Sequence, residues 1–361
     1  MLHLYEYELP FQTAFKTGSS EYKTRKGVLL HYRYNNLDFL SEASPLPGFS
    51  KESIDEVLQS LTDQKKWIEE FLDGNLDLQS IRELINIKDL NLPSIQFGIS
   101  FLSLSVLAKR EGKTVYELLD KSPPEKILIN DVIGHLTTPE MKRDIESSIK
   151  QGFKILKIKA LYPLNDLPSL IGSIHEHYPD IKFRLDANQS WPRSELPAIF
   201  SLLNHLPIEY IEEPCPISDL SELEKIRSES NLPIALDESI STIPRLKKVL
   251  NLYPKLVLII KPMLLGNILK IHETISQFRS NSKQIVVTTM LESKIGRSMT
   301  ASTASLIGDP EMRHGLHTGH LLADDLLPDF KIENGSIQNL QPNPCTDSFS
   351  QIKTSYLKKL R

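Results

Sequence analysis

The sequence predicts an α/β protein: a (β/α)7β-type TIM barrel preceded by a smaller α+β capping domain. The first observation is that short apolar runs end in a charged residue at positions 186, 212, 237 and 261, an interval of 24 to 26 residues. Such an interval holds one strand, one helix and two short loops, which is the repeat of a parallel barrel. The second observation is that alternating strands followed by two long helices precede this repeat.

Three segments are expected from this pattern. Residues 1–122 form the α+β capping domain, residues 123–322 form the (β/α) barrel, and residues 323–361 return to the capping domain. The dipeptide Pro123-Pro124 marks the first boundary, because consecutive prolines interrupt both helices and strands.

The capping domain should begin with an antiparallel sheet. Apolar and polar residues alternate over 2–9 and 27–41, and Asn35-Asn36 is typical of a tight hairpin turn between two strands. Helices are predicted over about 51–72 and 94–111, the second ending before a glycine that can form its C-terminal cap.

Two loops of this domain are expected to close over the barrel mouth. Residues 17–25 are polar and contain Gly18, which is typical of a surface loop. Residues 44–50 are stiffened by two prolines and carry Phe49 near their end. A plain connector and a lid that presents an apolar side chain both fit this second loop.

Eight barrel strands fit into the remaining sequence. They are expected to begin near residues 127, 153, 183, 208, 233, 256, 284 and 314. In such a barrel the C-terminal ends of the strands converge on one mouth, where side chains from different strands meet.

The stretch 153–160 is the most informative of these strands. Leu156 and Ile158 alternate with Lys157 and Lys159, so both lysines project from the same face. Alone, this pattern is more typical of an exposed edge strand. The carboxylates on the following strands favour a face that lines an active site.

Asp186, Glu212 and Asp237 stand at the ends of three successive predicted strands, and Lys261 ends the next. A single aspartate there is more often a helix cap, but three acids in succession favour a metal site. They would raise one another's pKa unless a cation lay between them. Oxygen ligands alone favour Mg²⁺, with Mn²⁺ as a substitute. Lys159 suits a general base, because a neighbouring ammonium and a metal ion lower the pKa of a lysine.

Composition limits the class of protein. The 361 residues are 40% hydrophobic and 24% charged with a net charge of −4, which argues against nucleic acid as a partner. Neither a signal segment nor an apolar run of bilayer length is found, so no membrane is expected. Cys215 and Cys345 have no metal-ligand spacing, and we expect a cytoplasmic protein. The sequence leaves open whether the protein forms a homo-oligomer.

Together these motifs resemble the muconate-lactonising subgroup of the enolase superfamily. The motifs are Lys-x-Lys, Asp-Ala-Asn, Glu-Glu-Pro, Asp-Glu-Ser and Lys-Pro, which begin at residues 157, 186, 212, 237 and 261. Within that subgroup, the cap loop over residues 41–50, Gly266 and the triplet Leu291-Glu-Ser293 are similar to the o-succinylbenzoate synthase family. The resemblance extends over nearly the whole chain.

The resemblance implies roles for particular residues. Asp186, Glu212 and Asp237 would bind Mg²⁺, Lys159 would be the general base and acid, and Lys261 the cationic partner opposite. Glu42 is expected to be structural. Candidates for contact with a small-molecule carboxylate substrate are Lys157, Arg184, Asn188, Ser239, Glu292 and Ser293, and Glu213 and Glu238 match further motif positions.

The reaction that the resemblance implies is dehydration of 2-succinyl-6-hydroxy-2,4-cyclohexadiene-1-carboxylate to o-succinylbenzoate in menaquinone biosynthesis. It proceeds through proton abstraction alpha to a carboxylate and a metal-bound enediolate. The alternative is a dipeptide epimerase or N-acylamino acid racemase, which would use Lys159 and Lys261 on opposite faces of the alpha carbon. A non-catalytic binding barrel would have no need for the three acids and two lysines.

Overall fold

A computed structural model describes most of the chain, in the ranges 1–17, 20–86, 88–134, 138–217, 219–253, 256–278, 284–346 and 348–360. Within these ranges no helix has both the length and the hydropathy needed to cross a membrane. Both cysteines are buried and carry free thiols.

The capping domain contains a four-stranded antiparallel sheet. Its strands are β1 (Leu2–Thr17), β2 (Ser20–Tyr34), β3 (Leu37–Ala43) and, from the far end of the chain, β14 (Leu357–Lys359). The spatial order is β14-β1-β2-β3. The predicted turn at Asn35-Asn36 is confirmed, with φ angles of 49° and 60° that asparagine tolerates well.

The predicted surface loop over 17–25 is wrong from residue 20 onward. Residues 20–25 begin β2 and pair with the end of β1, from Thr17 opposite Ser20 to Leu9 opposite Arg25, with an irregularity between Pro10 and Phe15. Gly18 and Ser19 lie outside the described residues. Neither β3 nor β14 pairs with residues 20–25, and their sequence lacks the alternation of apolar and polar residues that would have indicated a strand.

Three helices complete the cap: α1 (Ile54–Asp73), α2 (Leu78–Glu83) and α3 (Pro93–Glu111). α3 is buried over almost its whole length, as its apolar sequence predicts, and Gly112 ends it with a φ of 67°. A side chain at Gly98 would meet the Glu42 carbonyl oxygen at 2.8 Å, so the glycine allows α3 to lie directly on β3.

The barrel sheet is parallel, in the order β11-β10-β9-β8-β7-β6-β5. Its strands are β5 (Asp131–Ile133), β6 (Ile155–Lys159), β7 (Lys182–Asp186), β8 (Ile208–Glu212), β9 (Ile234–Leu236), β10 (Val257–Ile260) and β11 (Gln284–Val287). The helices that surround it are α4 (Thr138–Lys150), α5 (Leu167–His177), α6 (Leu196–Leu203), α7 (Leu220–Glu229), α8 (Ile243–Leu252), α9 (Pro262–Leu265), α10 (Ile268–Ser276) and α11 (Lys294–Ile307).

The predicted eighth strand is reduced to two residues. His314 bridges Ile129 and Gly315 bridges Thr288, so this pair joins the two edges of the sheet. We call residues 314–315 the seam. A side chain at Gly315 would meet the Thr288 methyl carbon at 2.7 Å, which explains a glycine at this position.

The predicted first barrel strand is divided between two sheets. β4 (Lys126–Leu128) pairs antiparallel with β13 (Ser336–Gln338), which also pairs with β12 (Ile332–Glu333). Only β5 belongs to the barrel. The last segment, residues 323–361, contacts both parts of the molecule, because β13 pairs with β4 whereas β14 pairs with β1. The domain boundaries therefore stay a prediction.

Glu42 joins the two parts through a buried network. Its carboxylate accepts hydrogen bonds from Tyr7 Oη (2.5 Å), Ser44 Oγ (2.6 Å), the Ser293 hydroxyl and the Gly296 amide (3.0 Å). These donors come from the cap sheet and from the start of α11. The carboxylate is fully buried and saturated by protein donors, as expected of a structural residue.

Candidate active site

The strand order fixes the arrangement of the predicted site residues at the barrel mouth. Lys159 ends β6, and Lys261 follows β10, four strands away in a barrel of seven strands and a seam. The two lysines therefore come from opposite sides of the mouth. Asp186, Glu212 and Asp237 follow on the three strands between them.

Lys157 lies among the carboxylates. Its Nζ is 2.9 Å from Asp186 Oδ2 and 2.7 Å from Glu212 Oε1. Burial disfavours its charged form, but the two carboxylates outweigh burial and hold the pKa of Lys157 well above its usual value. The residue therefore acts as a counter-ion between Asp186 and Glu212.

Three acceptor oxygens at the mouth are buried without a hydrogen-bond donor in the described part of the chain: Glu212 Oε2, Glu238 Oε2 and Asn188 Oδ1. Burial, and then repulsion from Asp186, raises the pKa of Glu212 well above its usual value. Unpaired buried oxygens are unfavourable unless a cation or donor satisfies them. The donor set therefore fits a hard divalent ion.

Lys261 is held by Asp237 through a short ion pair. Burial lowers the pKa of Lys261, whereas Asp237 and Glu238 raise it, and the net shift is upward. The ammonium also lies 4.9 Å from the centre of the Phe49 ring. These contacts hold the ammonium in place, and the raised pKa favours its protonated form.

Lys159 differs from the other two lysines. Among the described residues no carboxylate lies within ion-pairing distance of its ammonium. Burial lowers the pKa of Lys159, and Lys157 and Lys261 lower it further against the opposing effect of Asp186. This is the direction that a general base needs near neutral pH.

Glu213 supports the turn that carries a metal-ligand candidate. Its Oε1 accepts from the backbone amides of Asp237 (2.9 Å) and Ser239 (2.7 Å), and its Oε2 accepts from Ser239 Oγ (3.0 Å). Burial raises its pKa to about 7. The sequence identified Glu213 only as a motif neighbour, since two adjacent acids at a strand end do not reveal which faces inward.

Asn188 and Ser239 are at the mouth, as predicted, but protein groups occupy part of their hydrogen-bonding capacity. The backbone amide of Asn188 donates to Asp186 Oδ1 (3.1 Å), and its side-chain Nδ2 donates to Glu238 Oε1 (3.3 Å). The Ser239 hydroxyl is used by Glu213. Both residues fit a supporting role beside the carboxylates.

Arg184 is not at the mouth. It precedes Asp186 by two residues on β7 and is completely buried inside the barrel. Its guanidinium donates to Glu209 Oε2 (2.5 Å), Asn130 Oδ1 (2.9 Å) and the Arg313 carbonyl (2.5 Å). This position does not fit the predicted substrate contact, because the motif gave proximity in sequence but not depth in the barrel.

Glu292 and Ser293 also do not fit the predicted substrate contact. Both are fully buried, and the Ser293 hydroxyl donates to Glu42. Glu292 accepts from the Met290 amide (2.7 Å), and burial raises its pKa to about 7. Ser293 therefore joins the cap to α11, and Glu292 accepts from Thr300 of α11 at 3.4 Å.

The cap loop over 44–50 lies at the mouth, as predicted for a lid. Phe49 contacts Lys261, and its ring centre is 6.5 Å from that of Phe15 on β1. Both rings are half-buried. The long β1–β2 arm and this loop therefore bring aromatic side chains together above the reacting groups, where they can exclude water.

Arg25 anchors this loop and was not identified from the sequence. It is 2% exposed, and its guanidinium donates to the carbonyls of Ser44 (2.7 Å), Pro45 (2.8 Å) and Leu291 (3.1 Å). The sequence placed it in a polar loop. Only the hairpin pairing turns its side chain toward the barrel.

We expect Phe49→Ala to raise KM by roughly 5- to 30-fold, because a cation–π contact and water exclusion contribute about 1–2 kcal/mol. The unfolding midpoint should change little, since the ring is half-buried. Steady-state kinetics and thermal unfolding measure the two effects. Phe71→Ala on α1 is a matched control, because it removes a ring that stacks on Trp67 away from the mouth. An unchanged KM in Phe49→Ala would argue against the lid.

Comparison with known proteins agrees with this architecture. Residues 140–343 match the family described as "Enolase C-terminal domain-like", and residues 1–106 match "MenC, N-terminal domain". Relatives named o-succinylbenzoate synthase include one from Proteus mirabilis, 27% identical over 94% of this chain and 97% of the relative. Another, from Haemophilus influenzae, is 26% identical over 90% and 92%.

Solved structures share the fold at lower identity. The muconate lactonizing enzyme from Pseudomonas fluorescens has a TM-score of 0.82 at 17% identity, covering 99% of this chain and 98% of that one. A dipeptide epimerase from Cytophaga hutchinsonii has a TM-score of 0.82 at 20% identity with the same coverage. The predicted resemblance to the o-succinylbenzoate synthases is confirmed, and the chain belongs to the enolase superfamily.

Proposed function

We propose that this protein is an o-succinylbenzoate synthase, a hydro-lyase of menaquinone biosynthesis. The observation that carries the proposal is the contrast among the three mouth lysines. Lys157 and Lys261 are paired with carboxylates, whereas Lys159 has no such partner in the described residues and has a lowered pKa. The names of its relatives support the same reaction.

Asp186, Glu212 and Asp237 would hold the metal ion, which we propose to be Mg²⁺, with Mn²⁺ as a substitute. The unpaired oxygen of Glu212 and its raised pKa support this assignment. When bound, the ion binds the substrate carboxylate and stabilises the additional negative charge that forms beside it. Lys157 must yield at least part of its contact with Asp186 and Glu212 for the ion to enter.

Lys159 would perform both proton transfers. Its neutral amine takes the proton on the carbon alpha to the carboxylate, and the carbon–hydrogen electron pair enters the enediolate. The resulting ammonium returns this proton to the hydroxyl on the neighbouring carbon, whose carbon–oxygen bond breaks as water departs. The ring becomes aromatic, and Lys159 is again neutral. One base suffices if proton and hydroxyl leave from the same face.

Lys261 would stay protonated throughout and stabilise the anion from the opposite face. Its ion pair with Asp237 and its contact with Phe49 support this electrostatic role. The aromatic lid of Phe15 and Phe49 would exclude water while the anion exists. Glu213, through Asp237 and Ser239, positions the turn beside Lys261 without contacting substrate.

A dipeptide epimerase or N-acylamino acid racemase is the second candidate. The observation in its favour is that Lys159 and Lys261 come from opposite sides of the mouth, as two bases acting on two faces require. The raised pKa of Lys261 makes it a proton donor opposite Lys159, whose pKa is lowered. A racemase needs this arrangement for one direction of turnover, and a dehydration with one base also accommodates it.

The test is turnover by the purified full-length protein with Mg²⁺, with the cyclohexadiene carboxylate and an N-succinylamino acid assayed in parallel. We expect o-succinylbenzoate to form with a kcat/KM at least 100-fold above that for racemisation. Deuterium incorporation from D₂O into the amino acid at a comparable rate would instead favour the racemase. We further propose a cytoplasmic location, which the two free thiols support.

A further inference from the structure

A second group of metal-ligating side chains lies outside the barrel mouth. Asp131, His317 and His320 each offer one ligand atom, and these three atoms all lie within 4.8 Å of one another. Among the described residues this is the one such group of three histidine, cysteine or acidic side chains. The two histidines are three positions apart, in the sequence His317-Thr-Gly-His320.

The group lies on the outer face of the barrel. Val132 is in register with Lys157, whose side chain faces the mouth, so the adjacent Asp131 on β5 faces the opposite way. There Asp131 Oδ2 accepts from Ser148 Oγ of α4 at 2.5 Å. His317 and His320 follow the seam directly in the chain. The three residues therefore join the first barrel strand to the segment that closes the barrel.

The side chains are already oriented. Asp131 Oδ1 lies 2.7 Å from His317 Nδ1 and accepts from the Val132 amide at 2.9 Å. The His317 ring stacks on Phe153, with ring centres 5.1 Å apart, and lies 4.6 Å from the His320 ring. The Asp131–His317 hydrogen bond joins two of the three side chains directly, and the stacked Phe153 ring fixes the His317 ring, so these groups are ordered before an ion binds. Because Nδ1 of His317 is engaged by Asp131, the nitrogen that His317 offers an ion is Nε2.

The backbone around the two histidines is also fixed. Thr318, between them, forms a hydroxyl–hydroxyl hydrogen bond of 2.8 Å with Thr289, which follows β11. His320 lies in a short 3₁₀ helix over Gly319–Leu321 and is exposed, whereas Asp131 is buried. An ion from solvent therefore has direct access to one ligand, and the other two lie behind it.

We propose that Asp131, His317 and His320 form a binding site for Zn²⁺ that is separate from the magnesium site at the mouth. Two imidazole nitrogens and one carboxylate oxygen are ligands that Zn²⁺ prefers, whereas Mg²⁺ prefers oxygen alone. The ion would link positions that are 186 residues apart in the chain. It would thereby strengthen barrel closure at the seam, where only two residues pair.

The experiment uses the full-length protein, freed of metal and then kept in a large excess of Mg²⁺ so that the mouth is occupied. Equilibrium dialysis against Zn²⁺ with elemental analysis counts the bound ions. We expect one Zn²⁺ per chain in the unmodified protein and at least a tenfold weaker affinity in His320→Ala. His205→Ala removes another exposed histidine and serves as the matched control.

Two further readouts separate this site from the mouth. Co²⁺ in place of Zn²⁺ should give visible absorption bands in the unmodified protein that His320→Ala lacks, and Zn²⁺ should raise the unfolding midpoint only where the site is intact. Asp131→Asn should reproduce both losses. Because His320 is exposed, His320→Ala should fold and keep its activity with Mg²⁺. Equal Zn²⁺ binding in His320→Ala and the unmodified protein, or none in either, would overturn the proposal.

Discussion

Lys159→Arg is expected to abolish turnover, with a loss of roughly 10³-fold or more in kcat, because general acid–base catalysis contributes about 10²- to 10⁴-fold and Lys159 would act twice. A guanidinium cannot take a proton near neutral pH. Lys261→Arg keeps the positive charge and should retain measurable dehydration. The measurement is formation of o-succinylbenzoate by each variant at saturating Mg²⁺ and substrate.

The pH dependence of the unmodified protein supplies an independent check on the base. Because Lys159 must be neutral to act, kcat/KM should rise with pH, with an apparent pKa below that of an ordinary lysine, as burial and the two neighbouring ammoniums require. Lys154→Arg, at an exposed position before the same strand, is the matched control and should behave as the unmodified protein does. Substantial dehydration by Lys159→Arg would refute the assignment of the base.

Lys261→Arg also separates the two candidate functions. In a dehydration with one base, Lys261 supplies charge, and arginine can replace part of that charge. In a racemase both lysines exchange protons with the alpha carbon, so either substitution should stop racemisation. Deuterium exchange into an N-succinylamino acid, measured for both variants, distinguishes these outcomes.

Glu212→Gln is expected to remove activity without weakening the metal-free fold. Glu212 has a raised pKa, so the folded state binds a proton on this carboxyl more readily than the unfolded state does. The stability that protonated Glu212 contributes is therefore present below the ordinary pKa of a glutamate and is lost as the pH rises from there through the raised pKa. The uncharged glutamine removes one charge from a group of carboxylates that repel one another, so we expect the unfolding midpoint of the metal-free protein to stay unchanged or to rise. Lys157 keeps Asp186 as a partner.

The loss of one ligand should reduce turnover by roughly 10³-fold, because the metal supplies several kcal/mol of charge stabilisation. Mg²⁺ should raise the thermal unfolding midpoint of the unmodified protein but not that of Glu212→Gln. Glu224→Gln makes the same change at an exposed position on α7, and it should keep the response to Mg²⁺. Full activity of the unmodified protein in excess chelator would contradict the metal requirement.

The sequence was most informative where chemistry and periodicity coincide. Asp186, Glu212 and Asp237 could be aligned at one mouth because buried parallel strands read as apolar runs with a fixed interval. The resemblance to the enolase superfamily implied that Lys261 lies opposite Lys159. Phe49 could be placed near the mouth because residues 41–50 resemble the cap loop of the o-succinylbenzoate synthase family.

The remaining features depend on contacts that the sequence does not encode locally. Arg184 and Ser293 belong to motifs, but the side chain of Arg184 points into the barrel and that of Ser293 contacts Glu42 of the cap. Sequence spacing does not give the direction of a side chain. The seam at 314–315 is too short for a strand pattern. Asp131 and His317 meet across 186 residues, so no local spacing predicts their contact.

The capping sheet is assembled from both ends of the described chain, since β14 is the edge partner of β1. During synthesis the N-terminal strands emerge first, but Tyr5 to Tyr7 of β1 have no strand partner on that side until residues 357–359 have left the ribosome. An uncovered strand edge is prone to pairing with other chains. The nascent protein therefore exposes an aggregation-prone edge until β14 is available, and chaperone demand should fall when β14 docks on β1.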